Sequence, residues 1–199
     1  MICILNYGTG NLRSIQRSVE YFYKKVEISK SKTKIKEAKG LILPGVGAFG
    51  DAVNELKNAN LFNFLKETIP KKLTFGICLG MQLMFSWSAE SPNYEGLKLI
   101  DGKVVKLKSE EGRVKIPHTG WNRLIPVKEP EFQGYVHFNH SYYCKPREKD
   151  IIVSRVLHGD FIPSIIKKNT FFGTQFHPEK SGEIGLKIIK WFVNQVEDS

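Results

Sequence analysis

Short strand-like runs alternate with helix-like segments through the first half of the chain. The runs are ICIL at 2–5, VEIS at 26–29, GLIL at 40–43 and LTFGIC at 73–78. Such short apolar runs are typical of strands that are buried on both faces of a parallel sheet. The segment after the first run places apolar residues at helical spacing, at Leu12, Ile15, Val19 and Phe22. This alternation predicts an α/β fold with a mostly parallel central sheet and flanking helices.

The same spacing predicts three further helices in this half, at 52–59 with Asp51 as its cap, at 62–69 before Pro70, and at 80–90. The second half is mostly strand-like, at 103–108, 134–144, 150–158, 161–169 and 170–178. An amphipathic helix at 182–197 follows. We therefore expect βα units, then a mixed or antiparallel extension, within a single domain over residues 1–199.

The composition is that of an ordinary globular protein, with 41% apolar and 25% charged residues. No apolar run approaches the ~20 residues that a membrane span requires, and the N-terminal segment lacks the basic start of a signal peptide. We therefore expect a cytoplasmic protein without membrane contact. The cysteines, Cys3, Cys78 and Cys144, are widely separated and predict neither a disulfide framework nor a metal site. Cys3 and Cys144 are predicted to be buried apolar residues.

The formal net charge of +10 is unusual for so ordinary a composition. Such a positive charge is typical of proteins that bind a nucleic acid, an acidic partner or a phosphorylated substrate. The basic residues are spread along the chain, however, and no RNA-recognition, zinc-finger or helix-turn-helix signature accompanies them. We interpret them as a solvated surface and expect no nucleic acid partner.

Three glycine-rich turns, at 8–10, 44–47 and 76–80, follow predicted parallel strands. Ligands of open α/β sheets bind at that edge, so the turns are expected to lie together. The third turn, Gly-Ile-Cys-Leu-Gly, has the spacing of the nucleophile elbow, in which glycines avoid collisions in a tight strand-to-helix turn. The following helix favours the thiolate of Cys78, which we predict to be a nucleophile. The alternative is a buried cysteine beside a glycine turn.

A cysteine nucleophile requires a base, and His177 is the histidine best placed to serve as one. It follows an apolar strand and precedes Pro178. Because side chains alternate along an extended chain, His177 and Glu179 are expected to point to the same side. A carboxylate there would fix the tautomer of the imidazole and stabilise its cation. The alternative is a surface His-Pro-Glu turn.

Acyl transfer also requires donors for an oxyanion, and the glycine turn at 44–47 can aim backbone N–H groups into a site. A phosphate-binding loop is the competing interpretation, but no Lys-Ser/Thr pair follows it. The turn at 8–10 lacks the glycine spacing of a dinucleotide-binding loop.

Three motifs, PGVG at 44–47, GICLGMQL at 76–83 and QFHPEKSG at 175–182, together resemble the class I glutamine amidotransferases. Further segments, NYGTGNLRSI, PGVGAFGDAV, PHTGWN and HSYY, are similar to the glutaminase subunits of imidazole glycerol phosphate synthases. The likeness covers essentially the whole chain and implies a flavodoxin-like α/β domain. It implies that Cys78 forms a γ-glutamyl thioester, that His177 is the general acid and base, and that Glu179 orients His177.

The resemblance also implies a substrate pocket and a partner surface. The oxyanion site would be at Val46 and Gly47, and glutamine would contact Gly47, Gln82, His140, Ser141 and Tyr142. The partner interface would include Asn11, Trp121 and Lys180. Simpler interpretations remain open: a helix cap for Asn11, the core for Trp121, an exposed first-turn position for Gln82 and ordinary strand alternation for 140–142. Thr119 and Asn139 depart from the expected pattern, which has methionine and an apolar residue there.

The implied activity is hydrolysis of L-glutamine without a cofactor. The ammonia would pass through an internal channel to a separate (β/α)8-barrel cyclase subunit, the heterodimer partner, which makes imidazole glycerol phosphate and aminoimidazole carboxamide ribotide in histidine biosynthesis. Three alternatives remain open. They are a paralogous glutaminase that serves amidino-sugar synthesis, a basic binding module, and a simple cysteine hydrolase, against which the glutamine-pocket segment argues.

Overall fold

A nine-stranded sheet forms the centre of the molecule in the computed structural model, which describes residues 1–109 and 114–199. The strands of the first half are β1 (Ile2–Leu5), β2 (Val26–Ser29), β3 (Gly40–Leu43) and β4 (Leu73–Ile77). Those of the second half are β5 (Gly102–Lys106), β6 (His118–Pro126), β7 (Gly134–His140), β8 (Tyr142–Pro146), β9 (Ile152–His158), β10 (Asp160–Lys168) and β11 (Phe171–Thr174).

The described residues also form helices on both faces of this sheet. The α-helices are α1 (Leu12–Glu20), α2 (Lys32–Glu37), α3 (Phe49–Asn58), α4 (Phe62–Thr68), α5 (Leu79–Gln82) and α6 (Gly182–Glu197). Short 3-10 turns cover Ile69–Lys71 and Pro178–Lys180.

The central sheet has the strand order β2-β1-β3-β4-β11-β10-β9-β6-β7. The five strands from β2 to β11 are parallel to one another. With β11 as the fifth strand, this is the 2-1-3-4-5 order of flavodoxin-like folds. The strands from β10 to β7 are antiparallel to their neighbours, and β5 pairs with β8 in a separate ribbon. The predicted α/β fold, with a parallel core and an antiparallel extension, is confirmed.

Apolar packing covers the two faces of the sheet separately. Helices α3 and α4 enclose one core with Leu41 and Leu43, while α6 covers the other, where Phe192 meets Phe75 with ring centroids 5.3 Å apart. Cys3 and Cys144 are both fully buried, as predicted for residues with an apolar role. The carboxyl ends of the parallel strands are left open between these two layers.

The helix predicted at 80–90 is much shorter in the structure. Helix α5 ends at Gln82, because the carbonyl groups of Leu83 and Met84 accept hydrogen bonds from the amides of Leu97 and Leu99, both at 2.8 Å. These contacts with a later loop replace the next helical turn. The segment then runs beside β5, where Ser88 forms an isolated bridge with Val104.

The prediction that Asp51 caps the following helix is also wrong. Helix α3 begins earlier, at Phe49, and Asp51 lies in its first turn. The amides of Phe49 and Gly50 are instead satisfied by Glu90 Oε2 at 2.7 Å and Ser91 Oγ at 3.0 Å. The cap therefore comes from a segment some forty residues later, which local sequence could not indicate.

Candidate active site

Cys78 occupies the sharp turn between β4 and α5. Its φ of 52° and ψ of −109° lie in a sparsely populated backbone region, where a residue with a side chain is strained by ~1–3 kcal/mol. A β-carbon on Gly76 would lie 2.7 Å from the ring of Phe171, and one on Gly80 would overlap the carbonyl oxygen of Leu43. Glycine is therefore required on both sides of Cys78. The turn packs so tightly that the cysteine is only 6% exposed.

The three glycine turns lie against one another at this edge of the sheet, as the sequence predicted. A β-carbon on Gly10 would lie 3.0 Å from Pro44, and one on Gly45 would lie 2.8 Å from the β-carbon of Leu79. Gly47 differs, because its φ is +94° and no atom would contact an added β-carbon within 4 Å. The end of the second turn thus faces open space beside Cys78.

His177 and Glu179 form a buried pair next to Cys78. The Nδ1 atom of His177 lies 3.0 Å from Glu179 Oε1, and the two side chains are 5% and 1% exposed. Because a carboxylate only accepts, Nδ1 donates to Glu179, which leaves Nε2 to interact with Cys78. The alternative of a surface His-Pro-Glu turn does not fit this burial.

The charge on His177 is decided by these two neighbours. Burial lowers the pKa of the imidazole, but the hydrogen bonds with Cys78 and Glu179 outweigh burial and raise the pKa of His177 to about 10. An imidazolium beside the sulfur favours the thiolate, which is the reactive form of cysteine. The backbone holds the ring in place, since the amide of His177 donates to His137 O at 3.1 Å.

A cavity of about 100 Å³ opens beside Cys78. Its walls are formed by Val46, Gly47, Cys78, Leu79, Gln82, Glu90, Asn139, His140, Ser141, Tyr142 and His177. Every residue predicted to contact glutamine or an oxyanion is in this wall. Two larger cavities, of about 570 and 670 Å³, open elsewhere and are lined mainly by residues of β5, β8 and the turn between β9 and β10.

The segment 140–142 reaches the cavity because it passes between two sheets. The strand predicted at 134–144 divides at Ser141, since β7 belongs to the central sheet and β8 pairs with β5. His140 Nδ1 donates to Tyr142 O at 2.9 Å, and His140 Nε2 lies 3.0 Å from His118 Nδ1. Burial lowers the pKa of His140 to about 4 and that of His118 to about 3. Both rings are therefore neutral, and they fix the shape of this segment.

Three residues at the site were missed by the sequence interpretation. Glu90 and Asn139 line the cavity, and Gln175 places its Nε2 atom 3.7 Å from Cys78 Sγ. Glu90 was assigned to the end of a helix that does not form. Gln175 lies in the QFHPEKSG motif, so its position next to His177 was a usable signal. Asn139 was noted in the sequence only as a departure from the family pattern. Thr119 Oγ1 donates to Asn139 Oδ1 at 3.1 Å, so the two departures form one cross-strand pair.

The three predicted interface residues are exposed around this edge. Asn11 stands at the cap position of α1 but its side chain makes no cap hydrogen bond, and Lys180 follows Glu179 directly on the surface. Trp121 is 57% exposed, so the alternative of a core position is wrong. Its ring meets the edge of His137 at a centroid distance of 6.0 Å.

Within residues 1–109 and 114–199, no three His, Cys, Asp or Glu side chains are grouped in a way that could hold a metal ion. Over the same residues, no helix combines the length and the apolar character needed to cross a bilayer.

Comparisons with known proteins agree with this geometry. The family model for class-I glutamine amidotransferases matches residues 3–196. The imidazole glycerol phosphate synthase subunit HisH of Methanocaldococcus jannaschii is 47% identical, over 97% of this chain and 98% of its own length. The HisH subunit of a Geobacillus strain is 41% identical over 99% of this chain and 98% of its own length.

A solved structure described as a glutamine amidotransferase has the same fold, with a TM-score of 0.78 over 98% of each chain at 15% identity. The family match and the high coverage by HisH relatives coincide with Cys78 and His177 in the wall of one cavity and with a buried contact between His177 and Glu179. The chain is thus an enzyme of the class-I glutamine amidotransferase family, in the group of the HisH subunits.

Proposed function

We propose that this chain hydrolyses L-glutamine through a thioester on Cys78 and supplies the ammonia to a (β/α)8-barrel cyclase subunit of imidazole glycerol phosphate synthase. The buried contact of Cys78 with His177, itself held by Glu179, carries the proposal. HisH relatives are named as subunits of that synthase, which supports the choice of partner and pathway.

The reaction begins with attack by the thiolate on the side-chain amide carbon of glutamine. A C–S bond forms, and the carbonyl oxygen becomes an oxyanion. His177 then gives its proton to the departing nitrogen, the C–N bond breaks, and ammonia leaves. Water attacks the thioester with His177 as base, the C–S bond breaks, and glutamate is released as the thiolate re-forms.

The oxyanion is received by the turn that contains Val46 and Gly47. Both residues are exposed and line the cavity. The open space around Gly47 lets the preceding peptide rotate until its N–H group points at the oxyanion, which is why glycine suits this position. In the proposed mechanism, binding of glutamine or of a partner favours the conformation in which this N–H group donates.

Glu90 selects the amino-acid end of glutamine. Its carboxylate is the acidic group of the cavity wall, and Oε2 is held in place by the amide of Phe49 at 2.7 Å. A carboxylate pairs with the α-ammonium group of an amino acid by a charge-assisted hydrogen bond. Gln82 and the segment 140–142 then hold the remaining backbone groups of glutamine.

An exposed apolar face on the antiparallel strands supports the proposal of a docked partner. Strand alternation and register place Trp121, Ile125, Tyr135, Leu157 and Phe161 on one side of the sheet. They are between 38% and 61% exposed. Exposed apolar side chains grouped in this way mark interaction surfaces, and this outer face continues to Lys180 and His137 at the site.

The single test is a Cys78→Ala variant, assayed with and without the cyclase subunit. We expect it to lose glutamine hydrolysis while keeping its fold and partner binding, and added ammonia should restore cyclase product. Cys3→Ala, which removes a buried thiol of β1 far from the cavity, serves as the matched control and should remain active. Near-normal hydrolysis by Cys78→Ala would exclude the mechanism.

Complementation separates this proposal from a glutaminase for amidino-sugar synthesis. The chain together with its cyclase should restore growth without histidine to a strain that lacks its own glutaminase subunit. Growth that remains dependent on histidine, despite measurable glutaminase activity, would favour the paralogous pathway.

A further inference from the structure

Gln175 is a buried side chain at the site that the proposed mechanism leaves without a role. It lies between β11 and His177 and is 0% exposed. Its Nε2 atom is 3.7 Å from Cys78 Sγ, within hydrogen-bond distance for sulfur. We propose that Gln175 is a catalytic residue that donates a side-chain hydrogen bond to the Cys78 thiolate. This inference rests on the proposed thioester mechanism.

The direction of the Gln175 amide follows from a backbone carbonyl group that can only accept. Gln82 Nε2 lies 3.0 Å from Tyr142 O and 3.3 Å from Gln175 Oε1. A reversed Gln82 amide would place its oxygen against Tyr142 O, so the nitrogen must face that carbonyl. A reversed Gln175 amide would then place two N–H groups against each other. The only consistent arrangement aims the Gln175 N–H group at the sulfur.

The donor is held rigidly. The backbone amide of Gln175 donates to Ser164 O at 2.8 Å, and Gln82 is only 4% exposed. Tyr142 O, which fixes Gln82, is also bonded by His140 Nδ1 at 2.9 Å. A preorganised donor of this kind stabilises charge without reorganising during the reaction.

Other titratable groups near the sulfur do not replace this donor. The Tyr7 hydroxyl donates to Pro44 O at 2.6 Å, and burial raises the pKa of Tyr7, which keeps the phenol neutral. Burial likewise raises the pKa of the Cys144 thiol well above its usual value. His177 is the charged neighbour, and it must release its proton to the leaving nitrogen. Gln175 is therefore a donor at the sulfur that gives up no proton during the reaction, whereas His177 both gives and takes one.

This fixed hydrogen bond acts whenever the sulfur carries negative charge, in both halves of the reaction. When water attacks the thioester and the C–S bond breaks, the bonding electron pair returns to sulfur as a thiolate. A hydrogen bond from Gln175 stabilises this leaving group. It also holds the free thiolate in line with the cavity before glutamine is attacked.

The test measures the pH dependence of Cys78 alkylation by iodoacetamide. Gln175→Met and Gln175→Leu fill similar volume without a donor, and both should raise the midpoint of the profile by about one pH unit or more. The matched control is Thr174→Val, which removes the buried bond from Thr174 Oγ1 to Phe176 O and leaves the sulfur untouched. Its profile should coincide with that of the parent protein. Coincident profiles for the Gln175 variants would overturn the proposal.

Two further measurements keep the proposal testable. In the synthase complex, the Gln175 variants should lower kcat by about tenfold or more with little change in KM, whereas a packing defect would change both. The second measurement is an NMR pH titration of the parent protein labelled with ¹⁵N-glutamine. One side-chain amide signal should change its chemical shift around the pH of the alkylation midpoint, and this change should vanish in Cys78→Ala. No such signal would also overturn the proposal. Alkylation requires no turnover, so failure of glutaminase activity alone would reject the proposed function and not this hydrogen bond.

Discussion

At the scale of single residues, the site depends on a proton shared between a thiol and an imidazole. Glu179 stabilises the imidazolium through Nδ1, and its own second oxygen, Oε2, is buried without a hydrogen-bond partner among the described residues. Among the described residues, His177 is therefore the hydrogen-bond partner of this carboxylate. The two residues have different tasks, because His177 moves the proton while Glu179 only holds the ring and its charge.

Replacing each member of this pair should separate the two tasks. His177→Ala should lower kcat by about 10²–10⁴-fold, the usual contribution of a general acid and base. Glu179→Gln should cost less, since the imidazole remains. Removing the carboxylate also lowers the pKa of His177, which is about 10 in the parent protein. The alkaline limb of the kcat/KM profile should therefore move to lower pH.

A pH–rate series with the cyclase subunit present checks this prediction. Cys3→Ala serves again as the control for substitutions at buried positions. Equal losses in His177→Ala and Glu179→Gln would mean that Glu179 does more than orient the ring.

At the scale of secondary-structure elements, the N-terminus of α3 ties folding to substrate recognition. Two neighbouring residues of a distant loop cap it, Glu90 on Phe49 and Ser91 on Gly50. Only Glu90 also lines the cavity. The cap therefore holds Glu90 in position for the α-ammonium group that we propose it binds.

Ser91→Ala should mainly lower stability, whereas Glu90→Gln should mainly weaken glutamine binding. Ser91→Ala removes a cap, so the free energy of unfolding should fall by ~0.5–2 kcal/mol with KM for glutamine unchanged. Glu90→Gln keeps an acceptor for Phe49 but loses the charge. KM should therefore rise about tenfold or more, with a smaller effect on stability. Urea denaturation and glutaminase kinetics measure both quantities, and an unchanged KM in Glu90→Gln would contradict the role of this carboxylate.

The elements that local sequence predicted well are those whose hydrogen bonds are local or follow a simple pattern. Strand β1 and helix α6 have the predicted bounds, because each carries a continuous apolar run or stripe. The segment 80–90 has helical spacing too, but the amides of Leu97 and Leu99 take the carbonyl groups that a helix would need. A competing partner distant in sequence leaves no mark on local periodicity.

The same distinction applies to the site. Cys78, His177 and Glu179 were predictable because the elbow and the His-Pro-Glu sequence are short-range patterns. Gln175 contacts Cys78, which is 97 positions away in the sequence. Glu90 contacts Phe49, which is 41 positions away. Those contacts exist only after β4, β11 and α3 have come together, so the spacing of residues could not reveal them.

At the scale of the whole molecule, the arrangement of charged and apolar surface fits a glutaminase that is covered by a partner. Ammonia released into water at neutral pH is largely protonated and loses its nucleophilicity. The ammonia transfer proposed above therefore requires that the cavity open into a closed passage. The outer face of the antiparallel strands supplies apolar area for docking, and Asn11 and Lys180 lie at the rim of the site on the same edge.

The chain's net charge of +10 predicts that this partner presents an acidic face. Lys180 follows Glu179 directly and belongs to the same turn, Pro178–Lys180. A carboxylate of the barrel that pairs with Lys180 would therefore contact the turn that carries Glu179. Such a pair guides encounter and register more than it adds affinity. Lys180→Ala should therefore reduce the response of glutaminase activity to the cyclase ligand, while affinity changes by ~1 kcal/mol or less, as for an exposed ion pair.

Lys57→Ala is the matched control for this last prediction. Lys57 is also exposed, but it lies near the end of α3, at the opposite edge of the sheet from the site, over the ring of Phe62 at 5.5 Å. Stopped-flow association and ligand-stimulated turnover would be measured for both variants at low and high salt. Raised salt should slow association of the parent chain, because screening shortens the range of its charge to ~8 Å at 0.15 M. If Lys180→Ala and Lys57→Ala change association and ligand-stimulated turnover equally, the surface charge affects association only through its total. The coupling must then pass through Asn11 and the outer face instead.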